Sequence, residues 1–418
     1  MDNPAAPAIC RSMDSTDVII VGGGLNGSAL ALALGDAGLR VTLVDRLAAS
    51  VRDSDSFDGR SYALAHGSFR LLKAIGLGPA LDGKTQPILG IKVSDGRAGE
   101  GASPLHLVFD HAEIEEGPMG WMVEDRHLRQ AFLARIDGHP RITQIEGTVT
   151  DHAAAGNAAS VTLSDGTALH AAMLVAADGV GSPTARRAGI TRQGWRYGQT
   201  ALVCAIEHDQ PHGGIAHQFF MPPGPLAILP LPGNRSSIVW TERDAEAARI
   251  QALDDAGYLA HLRPRFGSFL GDIALAGARF TYPLELSLAR SFTGARLALV
   301  GDAAHRVHPI AGQGLNAGLK DVAALAEVLV DARRRGEDIG RADVLDRYQR
   351  WRRFDTATLA LATDSINRLF SNDNPLVRAA RDIGLGVVGA LPGLRRGLIR
   401  EAAGLTGDLP RLLQGRVL

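Results

Sequence analysis

The clearest pattern of hydrophobic and polar positions lies near the start of the chain, in DVIIVGGGLNGSALALALGDAGLRVTLVDR at 17–46. Its two short runs VIIV and VTLV are apolar except for Thr42, which is typical of central strands in a parallel sheet whose two faces are covered. The glycine-rich turn and the alanine- and leucine-rich run between them predict a tight turn followed by a helix. The stretch therefore predicts a βαβ unit.

Two later stretches repeat this design, because each has an apolar run that ends beside an acid. MLVAADGVGSPTARRAGI at 173–190 reaches Asp178, and RLALVGDAAHRVHPIAGQGLNAGLKD at 296–321 reaches Asp302. In a doubly wound sheet, ligands bind at the carboxyl ends of the strands. Either acid alone could be a turn former or a helix cap, but the three stretches together predict a nucleotide site.

The glycines of the first stretch give that site its chemistry. Gly22, Gly24 and Gly27 have the G-x-G-x-x-G spacing, which lets a pyrophosphate approach backbone N–H groups at the start of a helix. Asp45 closes the second strand, where a carboxylate can accept hydrogen bonds from the hydroxyls of an adenosine ribose. A glycine turn that serves packing alone does not explain Asp45. This motif by itself does not separate FAD from NAD.

A different pattern occupies residues 195–240, where alternation and turn signals predict antiparallel strands that form a wall over the cofactor. Tyr197, Phe219 and Leu229 are candidates for a pocket in that wall. His217 either faces the substrate or lies on the sheet surface. The pattern predicts a second, mainly antiparallel sheet.

Charge and composition narrow the function classes. Forty-four basic and forty-five acidic residues leave a formal charge of −1, so no global field would attract nucleic acid. Cys10 and Cys204 form neither a disulfide framework nor a metal motif, which suits a reducing cytoplasm. Residues 1–14 predict a disordered leader rather than a signal peptide. The apolar run at 383–394 has twelve residues, short of the roughly 20 of a membrane span, and a cytoplasmic protein is expected.

On these motifs the chain resembles the class A flavoprotein monooxygenases of the para-hydroxybenzoate hydroxylase type. More narrowly, it resembles the ubiquinone-biosynthesis hydroxylases through four stretches: DGRSYALAHGSFRLLKAIGL at 58–77, EDRHLRQAFL at 124–133, GPLAILPLP at 224–232 and HRVHPIAGQGLNAGLKD at 305–321. The resemblance implies an α/β fold with a Rossmann-like FAD-binding domain, an inserted, mainly antiparallel β-sheet substrate domain and a C-terminal helical segment.

The resemblance also implies which residues contact FAD. The first motif would hold the ADP half of FAD, and two arginines would lie beside the cofactor. Asp178 belongs to a motif tied to FAD and, in some members, to NADPH. Asp302 would form hydrogen bonds with the ribityl chain. The expected cofactor residues are Gly22, Gly24, Asn26, Gly27, Asp45, Arg46, Arg60, Arg126, Asp178, Gly301, Asp302, Gly312, Gln313, Gly314, Leu315 and Asn316. Free N–H groups at Gly312–Gly314 would stabilise negative charge on the reduced flavin.

Three residues are candidates for the catalytic side of the flavin: Pro309, His217 and Tyr197. Pro309 matches the family proline beside the reactive face of the ring. His305 and His308 have a spacing that could suggest a metal, but no cysteine or acidic pair completes a ligand set, so no metal is expected.

The reaction that the resemblance implies inserts one oxygen atom of O2, through a C4a-hydroperoxyflavin, into a polyprenylated phenol of ubiquinone biosynthesis. NADPH, NADH or a partner protein would reduce the flavin. The tyrosine pair that handles the phenol in the para-hydroxybenzoate type has no match here. Two alternatives stay open: an FAD monooxygenase acting on a small soluble aromatic, and a catalytically silent FAD-binding scaffold in a complex of ubiquinone-biosynthesis proteins.

The expected domains are discontinuous. Residues 15–85, 120–190 and 285–370 would form the FAD domain, 86–119 and 191–284 the substrate domain, and 371–418 a helical tail. From Pro375 to Leu418, seven arginines face three acids. This tail could lie peripherally on the inner face of an anionic membrane, pack with its arginines in solvent, or dock another protein.

Overall fold

The computed structural model describes residues 16–99, 101–308, 312–370 and 391–418. Its strands are β1 (Thr16–Val21), β2 (Val41–Asp45), β3 (Ser61–Ala65), β4 (Thr85–Ile88), β5 (Gly90–Arg97), β6 (Gly101–Asp110), β7 (Gly120–Glu124), β8 (Ile142–Glu146), β9 (Val149–Ala155), β10 (Ala158–Leu163), β11 (Ala168–Ala176), β12 (Arg192–His208), β13 (Ile215–Met221), β14 (Gly224–Leu231), β15 (Arg235–Arg243), β16 (Ile273–Leu275), β17 (Phe280–Ala289), β18 (Thr293–Gly294), β19 (Leu297–Leu299) and β20 (His305–Arg306).

The described helices run between and beyond these strands. They are α1 (Leu25–Asp36), α2 (Ala49–Arg52), α3 (His66–Ala74), α4 (Gly78–Leu81), α5 (Asp125–Ile136), α6 (Pro183–Arg187), α7 (Asp244–Gln251), α8 (Asp255–Phe266), α9 (Gln313–Arg334), α10 (Ala342–Phe370) and α11 (Pro392–Ala402). Short 3-10 turns lie at His111–Glu113, Gly301–Ala303 and Arg411–Gln414.

The first sheet has the order β18-β19-β11-β1-β2-β8, and β9 and β10 extend it beside β11. Strands β19, β11, β1, β2 and β8 are parallel. Helix α1 packs against α9, and α9 packs against α10. Because helices cover this sheet, β1 and β2 are buried along nearly their whole length, as their apolar runs predict. The carboxyl ends of β1, β11 and β19 lie side by side.

The second sheet has the order β20-β17-β12-β15-β14-β13-β5-β6, and β16 pairs with β12. Its strands are antiparallel except for the parallel pair β13 and β5. Helices α7 and α8 cover one face through a cluster that includes Trp240, Tyr258 and Phe266. The other face contributes Ala205, Ala216 and partly buried Leu229 to an apolar cluster shared with the small sheet β3-β7-β4. The second sheet therefore has one face turned toward the cofactor domain.

The predicted domain boundaries are close to these sheets but not identical to them. Strand β17 belongs to the second sheet and runs to Ala289, past the predicted start of the third FAD segment at 285. The predicted leader 1–14 and the tail residues 371–390 lie outside the described residues, as do Cys10 and Pro309. Among the described helices, none combines the length and the apolar composition that crossing a bilayer requires.

Candidate active site

The turn between β1 and α1 brings backbone N–H groups to the carboxyl edge of the first sheet. A Cβ on Gly22 would lie 2.3 Å from the carbonyl oxygen of Ala177, and one on Gly27 would lie 1.9 Å from the oxygen of Gly22. A Cβ on Gly24 would meet no atom within 4 Å, and no side chain caps α1. The first and third glycines thus serve packing, whereas Gly24 faces open space where a ligand can approach.

Asp45 stands at the end of β2 beside this turn. Its Oδ2 accepts a hydrogen bond from the N–H of Gly23 at 2.5 Å, and its Oδ1 accepts one from the N–H of Leu47 at 2.8 Å. A carboxylate has about four acceptor sites, so these two bonds fix its orientation and leave capacity for ribose hydroxyls. The neighbouring Arg46 is exposed.

An open cleft with about 220 Å³ of empty space lies against the same turn, and its lining includes Gly23, Gly24, Ser28, Arg52 and Arg129. Arg52 is buried and donates from Nη1 to the carbonyl oxygen of Gly23 at 2.6 Å. Its buried Nε has no hydrogen-bond partner among the described residues. A buried, partly unsatisfied guanidinium beside an uncapped helix N terminus suits a diphosphate.

The two predicted arginines lie beside the ends of β3 and β7 and are held by acids. Arg60 donates from Nε to Asp58 at 2.8 Å, and its Nη2 lies 3.3 Å from Asp125. Arg126 donates from Nε to the buried Glu124 at 2.7 Å. These ion pairs fix both side chains at the edge of the cofactor domain.

Asp178 follows β11 and caps α6. One carboxylate oxygen accepts a hydrogen bond from the hydroxyl of Ser182, and the other accepts one from the N–H of Thr184 at 3.0 Å. The backbone N of Asp178 would lie 2.9 Å from a Cβ on Gly22, so the two loops touch. The hydrogen bonds of the Asp178 side chain therefore hold its own loop against the first glycine turn.

The N terminus of α9 has a similar form. Gly312 begins it with φ +64°, a left-handed conformation that favours glycine, and no acid occupies the first turn. A Cβ on Gly314 would meet nothing within 4 Å. Asn316 accepts from the N–H of Ala65 and donates to the carbonyl of Ala63, both at 2.8 Å, so it ties α9 to β3. Gln313 and the partly buried Leu315 complete the first turn.

Asp302 lies in the turn after β19, and its carboxylate makes no hydrogen bond to the described residues. Loss of solvation raises its pKa, although the positive charges of His305, Arg306 and Arg192 oppose the rise. Arg192 donates from Nη1 to the carbonyl of Ala303 at 2.6 Å, which fixes the turn. A partly buried carboxylate with free acceptor sites suits a ligand that donates hydroxyl groups.

A buried acid that sequence reasoning missed supports this turn. Asp321 on α9 accepts from the N–H of Gly301 at 2.9 Å, from Nε2 of His305 at 2.6 Å and from Nε of Arg352 at 2.8 Å. Burial alone would raise the pKa of Asp321, but the charges and hydrogen bonds of His305 and Arg352 lower it overall. His305 and Arg352 therefore hold Asp321 in place, and Asp321 ties the turn to α9.

Asn26 joins the two glycine loops. Its amide nitrogen would lie 2.2 Å from a Cβ on Gly301 and 2.4 Å from a Cβ on Gly318, so both glycines make room for it. Its buried Oδ1 has no partner within the described part of the chain. Asn26 thus places an unused acceptor between the α1 turn and the Asp302 turn.

On the second sheet, two predicted pocket residues lie on the face covered by α7 and α8. Phe219 belongs to the cluster beneath α7 and α8, and the ring centroid of His217, two residues earlier on β13, lies 4.5 Å from that of Phe269. Because alternate residues of a strand share a face, both side chains point away from the cofactor domain. This position favours the sheet-surface alternative for His217, and its catalytic role stays a prediction. Leu229 lies on the opposite, cofactor-facing side.

Tyr197 lies on β12, near the end of the loop that leads to α9. Its ring meets that of His308 edge to face, with centroids 5.2 Å apart. Tyr197 therefore stays a candidate for the reaction, and the predicted role of Pro309 stays a prediction because this residue lies outside the described residues.

Comparison with known proteins identifies the family to which a chain with this site geometry belongs. The family model described as an FAD binding domain matches residues 15–361. Ubiquinone hydroxylase UbiL of Rhodospirillum rubrum is 45% identical over 420 residues, which cover 99% of this chain and 96% of the relative. The chain belongs to this family of FAD-dependent hydroxylases. The predicted family, fold class and FAD cofactor are thus confirmed.

Other relatives of this FAD-dependent hydroxylase agree. The 3-demethoxyubiquinol 3-hydroxylase of Escherichia coli K12 is 34% identical over 396 residues, covering 93% of this chain and 99% of that protein. The crystal structure of p-nitrophenol 4-monooxygenase PnpA from Pseudomonas putida DLL-E4 superposes with a TM-score of 0.77 at 20% identity. It covers 94% of this chain and 99% of that chain, which shows a shared fold.

The residues of the hydroxylase fit FAD on three structural grounds. The N termini of α1 and α9 are uncapped and face open space at Gly24 and Gly314. Within the described part of the chain, the buried Nε of Arg52 and the carboxylate of Asp302 have no hydrogen-bond partner. Sequence motifs revealed the glycines and Asp302, but nothing in the sequence marked Arg52, whose position depends on how α2 folds over the first turn.

Proposed function

We propose that this enzyme hydroxylates a polyprenylated phenol on the route to ubiquinone, using one oxygen atom of O2. Two ubiquinone-pathway hydroxylases that align along nearly the whole chain support the substrate class. The observation that carries the proposal is the carboxylate of Asp302, which has no hydrogen-bond partner among the described residues, together with the glycine N-cap of α9, because a silent scaffold has no need for either.

FAD, when bound, supplies the redox chemistry that activates O2 and delivers one oxygen atom to the ring. The N–H groups at the start of α1 and the Arg52 guanidinium would hold the diphosphate, and Asp45 would accept hydrogen bonds from the adenosine ribose. Asp302 would accept hydrogen bonds from the ribityl hydroxyls. The N terminus of α9 would stabilise negative charge on the reduced flavin, an interaction worth about 0.3–1 kcal/mol at a typical helix end.

The apolar layer between the second sheet and β3-β7-β4 forms the substrate side. Leu229, Ala216 and Ala205 line it from the second sheet, and Met122 and Phe57 lie opposite. Such a surface excludes water from the flavin, which prevents wasteful release of peroxide, and it suits a ring that carries an isoprenoid tail. NADPH or NADH is the proposed electron donor, and it docks without a Rossmann unit of its own because the chain has one complete fingerprint.

A peripheral membrane contact through the tail is part of the proposal. Leu391, Leu394 and Leu398, at and on α11, are each at least 40% exposed, while Ile399 is buried against the sheets. Arg395 and Arg400 do not face away from the protein, because they pair with Glu113 and Glu116 respectively. The exposed leucines are therefore the better candidates for lipid contact than those arginines.

The experiment is quinone profiling by mass spectrometry in cells that lack this gene, complemented with the wild type or with Asp302→Ala. A prenylated phenol lacking one hydroxyl should accumulate and disappear only with the wild type. Unchanged ubiquinone without such an intermediate would shift the assignment to a small soluble aromatic. Full complementation by Asp302→Ala, with normal flavin content, would contradict the site assignment or indicate a scaffold.

A further inference from the structure

An irregular segment at 53–59, here called the strap, connects α2 to β3. Its residues are all described and form neither helix nor strand, and the first four of them are exposed. The strap begins directly after Arg52, which lines the open cleft beside Gly24. A segment outside helices and sheets opens easily unless side chains fasten it at a few points. The contacts of the strap therefore decide whether it stays beside the cleft.

The cofactor domain fastens the strap from helix α5. Arg126 donates from Nη1 to the carbonyl oxygen of Asp55 at 2.6 Å, and Gln130 donates from Nε2 to the Asp55 carboxylate at 3.3 Å. Residues three positions apart are neighbours on a helix surface, and Arg129, three positions after Arg126, lines the cleft. The strap is thus fastened one helical turn from the cleft wall.

The substrate domain fastens the other end of the strap. Phe57 packs against the apolar layer on the cofactor side of the second sheet. Arg235 of β15 lies over its ring, with the guanidinium carbon 4.8 Å from the ring centroid, and Arg126 lies over the same ring at 5.6 Å. The N–H of Ala278, which follows β16, donates to the carbonyl oxygen of Asp58 at 2.9 Å. The strap therefore bridges the two domains.

One buried carboxylate holds both of these arginines. Oε2 of Glu124 accepts a hydrogen bond from Nε of Arg126 at 2.7 Å, and its Oε1 accepts one from Nη2 of Arg235 at 2.7 Å. Glu124 is 1% exposed, and although it stands at the N-cap of α5, its side chain makes no capping hydrogen bond in the described structure. Its carboxylate thus joins an arginine of each domain rather than capping the helix.

This arrangement makes the contact with Phe57 hard to break. A guanidinium is attracted to the face of an aromatic ring, and the attraction grows as water is excluded. Neither Arg126 nor Arg235 can leave the ring freely, because a departing arginine would leave the Glu124 carboxylate buried with less compensating charge. The ion pairs therefore fix the two cations, and the fixed cations hold the ring of the strap.

We propose that Arg235 is a positioning residue for the cofactor. Together with Glu124 it latches the strap, through Phe57, over the mouth of the cleft, so that bound FAD leaves only when the latch opens. Because Arg235 belongs to the second sheet, retention of FAD depends on contact between the two domains. The inference goes beyond the proposed function, since it depends on bound FAD and not on the identity of the phenol.

The test measures the dissociation rate constants of FAD and of ADP. Dilution of the FAD-loaded enzyme, followed by the fluorescence of the released flavin, gives the first constant, and displacement of ADP from the apoprotein by excess FAD gives the second. Arg235→Met and Phe57→Leu should each accelerate the release of FAD about tenfold. The release of ADP should accelerate equally, because both ligands contain the diphosphate that the cleft holds.

Two further variants separate the latch from a general loosening of the fold. Phe57→Tyr keeps an aromatic face for the guanidinium groups and should release FAD at nearly the wild-type rate, whereas Phe57→Leu keeps only the apolar bulk. The double variant Arg235→Met/Phe57→Leu should release FAD about as fast as either single variant, because both substitutions open the same latch. Two independent defects would instead multiply.

Arg265→Met is the matched control. Arg265 of α8 has partners of the same kinds, because its guanidinium carbon lies 4.8 Å from the ring centroid of Trp240 and its Nη2 lies 3.0 Å from the buried Glu242. These contacts belong to the cluster beneath α7 and α8, on the face turned away from the cofactor domain. Arg265→Met should lower the unfolding temperature about as much as Arg235→Met and leave FAD release unchanged.

Each outcome decides the proposal. Unchanged FAD release in Arg235→Met and Phe57→Leu would overturn the latch, as would multiplied effects in the double variant or equal acceleration in Arg265→Met. If Arg235→Met does not fold, the difference between Phe57→Leu and Phe57→Tyr decides alone, and equal release from those two variants would overturn the latch. A wild-type enzyme that hydroxylates no prenylphenol, while its variants release FAD as expected, would overturn the proposed function and support the latch.

Discussion

The N termini of α1 and α9 both begin at uncapped glycine turns, but neighbours of different kinds shape them. At α1, the glycines are required by atoms close in sequence or on the next strand, since a Cβ on Gly27 would lie 1.9 Å from the oxygen of Gly22. Beside α9, the Asp302 turn is held by side chains far along the chain. Asp321 accepts hydrogen bonds from Gly301, His305 and Arg352.

This difference indicates that different kinds of substitution should destabilise the two halves of the site. The α1 turn depends on close steric fit, within its own βαβ unit and against Ala177 after β11, so small added groups should disturb it. The α9 side depends on a buried charge network, so loss of one charge should destabilise it more. Both N termini also contain a glycine, Gly24 or Gly314, on which a Cβ would meet no atom within 4 Å.

The largest effect is expected from Asp321→Asn, which breaks the network beneath the Asp302 turn. Removing one partner of a buried ion pair typically costs about 3–5 kcal/mol, because the remaining charges stay buried and uncompensated. Denaturant unfolding measures this loss. The control Asp343→Asn removes an acid that pairs with Arg341 at the surface, where both side chains are more than half exposed, and should cost about 1 kcal/mol or less.

The pH dependence of that loss has a defined sign. Because the folded pKa of Asp321 is lowered from its ordinary value of 3.8, its stabilising contribution is complete above 3.8 and disappears as pH falls through the folded value. Wild type and Asp321→Asn should therefore differ most near neutral pH and converge in acid. Equal free energies of unfolding for wild type and Asp321→Asn at neutral pH would show that the charge network does not stabilise the α9 side of the site.

Gly27→Ala should have the next largest effect, a loss of about 1–3 kcal/mol from overpacking against Gly22. Gly24→Ala is its matched variant, because the new methyl group meets no protein atom within 4 Å. That variant should unfold within about 0.5 kcal/mol of the wild type yet bind FAD about tenfold more weakly. Normal FAD affinity in Gly24→Ala would show that the diphosphate does not approach this turn.

Asp302→Asn should have the smallest effect on stability, and of opposite sign. The folded pKa of Asp302 is raised, so the wild-type apoprotein loses stability as pH rises from 3.8 through the folded value, and the substitution removes this loss. The apo variant should therefore be at least as stable as wild type near neutral pH in denaturant unfolding. A destabilised apo variant would mean that Asp302 serves the fold rather than the cofactor.

The sequence predicted the parts of the site whose requirements are local. The apolar runs of β1 and β2, the spacing of Gly22, Gly24 and Gly27, and the strand-end position of Asp302 all follow from short-range geometry. Asp321 could not be predicted, since an acid inside a long helix is usually exposed and its partner Arg352 lies 31 residues away. Arg52 was missed for the same reason.

The sequence pattern also could not predict on which face of the second sheet a residue lies. Alternation placed His217 and Phe219 on one face of a strand, but which face met the cofactor domain depended on where α7 and α8 packed. Those helices cover the face with Phe219, so His217 lies on the side away from the cofactor domain. Leu229, on the neighbouring strand, lies on the cofactor side.

Equilibrium binding of ADP and of FAD to the apoprotein tests the two-ended site most directly. Asp45→Asn should weaken both ligands, because the ribose that it contacts is present in each. Asp302→Asn should weaken FAD about tenfold or more and leave ADP unchanged, because ADP lacks the ribityl chain. Equal FAD affinity in wild type and Asp302→Asn, or a parallel loss of ADP affinity in Asp302→Asn, would contradict the assignment of α1 to the ADP half and of the Asp302 turn to the flavin half.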